Sequence, residues 1–89
     1  MKITKSYLSK LEDLFSESNF ILRYEKGNFT SGYCILNDNN IVIVNKYYTL
    51  EGKINCLTEI IRQINLDSSS FSDKSNELYN NINQTKLEI

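Results

Sequence analysis

Arg23 and Glu25 stand two residues apart in a run that alternates apolar and polar side chains. That spacing puts both on one face of a strand, where an acid and a base can pair with each other or with a bound group. Lys46 closes the apolar run Ile41-Val42-Ile43-Val44, and Cys34 sits inside a second short run, Tyr33-Cys34-Ile35-Leu36. Arg23, Glu25, Lys46 and Cys34 are the set from which a small-ligand site or an unusual active site would be built. Tyr47 and Tyr48 follow Lys46 directly. Such a pair suits a protein partner, because tyrosine buries a large ring while keeping a hydrogen-bonding tip. Glu59 and Arg62 lie three apart in a segment with helical periodicity and therefore share a helix face. Each feature also has a plain structural explanation: an exposed Arg–Glu pair is common on strands and contributes only ~0–1 kcal/mol.

The residues that are missing exclude more chemistry than those present suggest. The chain has no His among its 89 residues. This removes Ser-His-Asp and Cys-His catalysis, His-ligated zinc or haem, and imidazole switching. The eleven carboxylates form no D-x-D-x-D-G loop and no facing helical pairs, so neither a metal nor a cofactor is expected. Cys34 and Cys56 lack CxxC spacing and read as small hydrophobes rather than redox or metal ligands. Gly32 lies in no GxGxxG or P-loop setting and instead marks a site of positive φ or close backbone approach. A formal charge of −1 argues against nucleic-acid binding by phosphate neutralisation. The longest apolar run is four residues, far short of the ~20 needed to span a bilayer. Lys10, Glu12 and Asp13 interrupt any signal-like core near the N-terminus, and a cytoplasmic address is the expectation.

The elements that must position these residues follow from periodicity. Ile3, Tyr7, Leu8, Leu11, Leu14 and Phe15 recur at three- and four-residue steps and predict a first helix, ended by Ser18-Asn19. Its lysines come early and its acids late, against the helix dipole, so packing must hold it. The period then changes to two: Phe20, Leu22 and Tyr24 alternate with Ile21, Arg23 and Glu25. Lys26-Gly27-Asn28 signals a turn, residues 33–36 a second strand, and Asn37-Asp38-Asn39-Asn40 a tight hairpin. Ile41–Val44 is apolar on both faces, which makes it the central strand or one covered by helices. Three strands joined by short turns imply an antiparallel meander. Thr49 caps a core helix over about Leu50–Asn65, carrying Ile54, Leu57, Ile60, Ile61 and Ile64. After Asp67-Ser68-Ser69-Ser70 a weaker pattern predicts a last helix capped by Ser72, with a frayed tail from about residue 84.

Arg23-Tyr24-Glu25-Lys26-Gly27, Gly32-Tyr33-Cys34 and Ile41-Val42-Ile43-Val44-Asn45-Lys46, followed by a helix from Thr49, resemble small bacterial proteins of about this length over roughly residues 20–66. The absence of Ala, Pro and Trp beside abundant Asn and Ile fits an AT-rich genome. The layout is also similar to the minimal core of zincin metallopeptidases, whose HExxH frame falls on Thr58-Glu59-Ile60-Ile61-Arg62. There Glu59 matches the general base, while Thr58 and Arg62 replace both zinc ligands. Without the metal, Glu59 has no polarised water to deprotonate, so the resemblance implies at most a core retained for binding.

The resulting expectation is one α+β domain over residues 1–89, ordered α-β-β-β-α-α. It acts without catalysis through a protein partner or a second copy, and it contacts neither nucleic acid nor membrane. The competing expectation is a small-ligand binder or unusual enzyme using Arg23, Glu25, Lys46 and Cys34.

Overall fold

The computed structural model describes residues 3–26 and 32–85. They form helix α1 (Lys5–Ser16), strands β1 (Ile21–Glu25), β2 (Tyr33–Leu36) and β3 (Ile41–Asn45), then helices α2 (Leu50–Gln63) and α3 (Asp73–Thr85). The α+β class and the element order match the periodicities. The turn expected at Lys26-Gly27-Asn28 runs into residues outside those described, and so does the frayed tail expected from about residue 84, of which Gln84 and Thr85 still belong to α3.

The sheet departs from a meander. Its strand order is β1-β3-β2, with β1 and β3 parallel and β2 and β3 antiparallel. Only the second connection is a hairpin, a single 3-10 turn over Asn37–Asn39 with Asn40 in the left-handed region at φ 53°. The physical reason lies in β3. Val42 and Val44 are fully buried against the helices, while Ile41 and Ile43 on its other face are half-buried between the flanking strands. A strand apolar on both faces takes the central position, and β1 and β2 become the two edges. Ile41–Val44, expected to be central or covered by helices, is central, and its place overrides the rule that short turns join neighbouring strands.

All three helices lie on one side. The inward face of the sheet carries Leu22, Tyr24, Val42, Val44, Tyr33 and Ile35, packed against a core of Leu11, Leu14 and Phe15 from α1 and Ile54, Leu57, Ile60 and Ile61 from α2. Thr4 caps α1 by accepting the Tyr7 N–H at 3.0 Å, and Thr49 caps α2 by accepting the Gly52 N–H at 3.0 Å. Helix α2 stops at Gln63, slightly before the expected end, because Ile64 turns extended. The chain beyond it is held by side chains: the Leu66 N–H donates to the Tyr79 hydroxyl and the Asp67 N–H to Asn19 Oδ1. Helix α3 packs on α1 and α2 through Ile82 and the half-buried Leu78 and Tyr79, with the Tyr79 ring edge-on to Phe71 at 5.6 Å.

Candidate functional site

The residues singled out by type fall in three separate places. Arg23 and Glu25 both project from the outer face of β1 and pair with each other, Nη2 to Oε2, at 2.7 Å. The register places Arg23 beside Ile43 on β3, and Ile43 beside Cys34 on β2, so these three form one row across the sheet. The next row is Ile21, Ile41 and Leu36. Ile21 is 58% exposed and Leu36 38% exposed, because no helix among the described residues covers this face. The outer surface of the sheet is thus apolar at the Ile21 end and charged at the Glu25 end.

Lys46, Tyr47 and Tyr48 occupy the turn between β3 and α2. Asn45 organises it: its backbone carbonyl accepts the Tyr48 N–H at 3.2 Å and its side chain accepts the Tyr47 N–H at 3.0 Å. The two tyrosines then diverge. Tyr47 is 68% exposed, with the Lys46 ammonium 5.2 Å from its ring centroid. Tyr48, at 37% exposure, lies across two glycines. A Cβ on Gly32 or on Gly52 would collide with its ring.

Glu59 and Arg62 lie elsewhere, in a cleft of about 1040 Å³ bounded by all three helices. Thr58, in the same cleft, is buried and turns its hydroxyl back onto the Ile54 and Asn55 carbonyls at 3.0 Å, as a helix-interior threonine does. The Arg62 Nε donates to the Ile82 carbonyl at 3.5 Å and ties α2 to α3. The facing walls bring Lys10 from α1 and Lys74 and Glu77 from α3. Sequence reasoning missed these three because each sits on the polar face of its own helix, and only the packing of α3 brings them together. Tyr7 also lines the cleft, and burial pushes its phenol up from its ordinary value, the nearby Arg62 charge opposing in part.

These placements bear directly on chemistry. Neither this cleft nor a smaller groove beside β1 is lined by Arg23, Glu25, Lys46 or Cys34, so those four side chains do not converge on either of them. No group of three or more Cys, Asp or Glu side chains among the described residues is arranged to hold a metal ion. Neither cysteine is in a disulfide: Cys34 is half-buried on the open sheet face, and Cys56 is buried in α2. Burial, reinforced by the Glu59 charge, pushes the Cys56 thiol up from its ordinary value, the opposite of what an activated thiolate needs. No described helix is long and apolar enough to cross a membrane.

No family model matches the chain, and neither a curated protein nor a solved structure matches it.

Proposed function

We propose that the chain is a non-catalytic protein that works through protein–protein contact, as an accessory subunit, adaptor or dimer, with the bare face of its sheet as the contact surface. The observation that carries this reading is the row Ile21-Ile41-Leu36, three aliphatic side chains in register across a sheet whose described helices all lie on the other side. A sheet in a two-layer domain normally turns its polar alternates outward; here the outward residues of β2 and β3 are Cys34, Leu36, Ile41 and Ile43, with Asn45 the one polar member at the end of β3. Contiguous exposed apolar area of this kind marks an interaction surface. The partner that fits is a protein presenting an apolar patch of its own.

Replacing Ile21 and Leu36 together with Ser tests the reading, since both are exposed and the substitutions spare the core. A protein that copurifies with the wild type, reassembles with it from pure components at defined stoichiometry, and fails to bind the double variant supports the proposal. Equal binding by both forms, or no complex at micromolar concentration, overturns it. The size of the three-helix cleft favours a second reading, small-ligand binding at Glu59 and Arg62, because its volume is that of ordinary ligand pockets. A ligand that raises the melting temperature of the wild type but not of Arg62→Ala would select that reading.

A further inference from the structure

We infer that a second copy of this chain pairs antiparallel along β1, about a two-fold axis at Tyr24, joining the two sheets into one of six strands. The inference rests on the protein–protein reading above and gives it a first partner.

The argument begins with the ladder. The Ile21 N–H donates to the Asn40 carbonyl, and the Lys46 N–H donates to the Glu25 carbonyl. In parallel pairing this assigns the backbone groups of Ile21, Arg23 and Glu25 to β3 and turns those of Leu22 and Tyr24 to the free side. What lies along that side is a groove of about 480 Å³, walled by Glu12 and Ser16 of α1, by Phe20, and by Ile21, Leu22 and Tyr24 of the strand. An edge strand with outward N–H and C=O groups beside open space is a template for strand addition.

Charge then selects the register. Antiparallel pairs keep a constant sum of residue numbers, and the outward groups of Leu22 and Tyr24 permit only even sums. A two-fold axis at residue 23 sets Arg23 against Arg23, and one at residue 25 sets Glu25 against Glu25. An axis at residue 22 leaves Arg23 opposite Ile21 and Glu25 opposite Asn19, so neither charge is matched. The axis at Tyr24 sets Arg23 opposite Glu25 of the second copy, twice. It also makes each Arg–Glu pair a non-hydrogen-bonded one, the type in which opposed side chains approach most closely. On the inward face Tyr24 meets its counterpart, each hydroxyl donating to Glu12 at 2.6 Å from α1, with Lys53 of α2 5.2 Å from the ring centroid and opposite in charge to Glu12. The other edge, β2, carries no charged residue and so nothing comparable to fix a register. In the six-stranded sheet both Ile21-Ile41-Leu36 rows lie on the same open face, which makes the dimer a bivalent platform.

The test is a charge exchange read by mass. Sedimentation equilibrium should give a dimer for the wild type at micromolar concentration. Arg23→Glu alone and Glu25→Arg alone should each weaken it at least tenfold, because each sets like charges opposite one another twice. Mixing the two variants should restore association as a one-to-one heterodimer, and the double exchange in a single chain should restore a homodimer. Circular dichroism of each variant checks that the fold persists. A wild-type monomer at these concentrations, a dimer indifferent to the single exchanges, or a mixture that stays monomeric overturns the inference. Ile21 and Leu36 are unchanged throughout, so binding of a partner to the open face is scored independently.

Discussion

Gly32 and Tyr48 show how a single contact can shape the site. Gly32 has a φ of 85°, in the region that side-chain-bearing residues avoid, and its carbonyl accepts the Asn45 N–H at 2.9 Å to bind the start of β2 to the end of β3. Its missing side chain is the space into which the Tyr48 ring lies, and Gly52 in the first turn of α2 leaves a similar gap, with 2.9 Å between a built Cβ and Tyr48 Cδ2. The ring therefore clasps β2 to α2 over two bare backbones. Gly32→Ala should destabilise the fold by about 1–2 kcal/mol from the left-handed backbone alone, with a further cost from displacing Tyr48. In a Tyr48→Ala background only the backbone part should remain, so the two costs should sum to more than that of the double variant. Denaturant unfolding of the four proteins measures this cycle; a Gly32→Ala protein as stable as the wild type would refute it. The sequence signalled a special backbone at Gly32, but it could not signal which of two adjacent tyrosines would use the space. Neighbours in a turn point in different directions, and that divergence separates the exposed Tyr47 from the clasping Tyr48.

At the level of elements, the helices were legible because each carries its own period. The buried positions Leu11, Leu14 and Phe15 of α1 and Ile54, Leu57, Ile60 and Ile61 of α2 are those the stripe spacing picks out. Strand order was less legible, since pairing depends on which strand must be buried on both faces and not on the length of the turns. The join between α1 and α3 was not legible at all. Glu17, one residue past α1, accepts the Ser72 N–H at 2.7 Å where α3 begins, while the Ser72 hydroxyl accepts the Ser75 N–H and caps the helix as expected. The backbone bond from Ser72 is the main reason the Glu17 carboxyl is held below its ordinary value; desolvation opposes it, and hydroxyl bonds from Ser75 and Ser72 add smaller contributions. The sign follows: a depressed carboxyl contributes stability above the unfolded value for glutamate of about 4.3 and loses it as pH falls through the lower folded value. Glu17→Gln should thus lower the melting temperature near neutrality and approach the wild type in acid. Thermal unfolding between about pH 7 and pH 2, spanning both values, measures the gap, and a difference that stays constant with pH would show that the ionised carboxylate is not what joins α1 to α3. Asp67, held low chiefly by the Ser69 N–H, contributes to the acid sensitivity of both proteins and drops out of the comparison.

The whole molecule is a stack of unequal layers: the sheet, then α1 and α2, then α3. The charged cleft exists only because α3 closes over the first two helices, so it could be read from no single segment; its Lys10, Lys74 and Glu77 are exposed residues that only the stack gathers into one place. The layers also differ in what anchors them. Helix α2 buries six residues, including four large aliphatic side chains, whereas α3 buries Ile82 and Ser75 and otherwise presents half-buried or polar residues to the pair beneath it. Cooperative units with few buried apolar contacts open at lower free energy than the core. Native-state hydrogen exchange should therefore find the α3 amides opening before those of β3 and α2, with protection in β3 tracking global unfolding. Arg62 belongs to α2 but donates to the Ile82 carbonyl of α3, so early opening of α3 would release the Arg62 bond and unmake the cleft without disturbing the sheet. The open face and the β1 edge would keep their geometry through that event. If α3 and β3 amides exchange with the same free energy and the same denaturant dependence, the stack opens as one unit, and neither the cleft nor the sheet can change independently of the other.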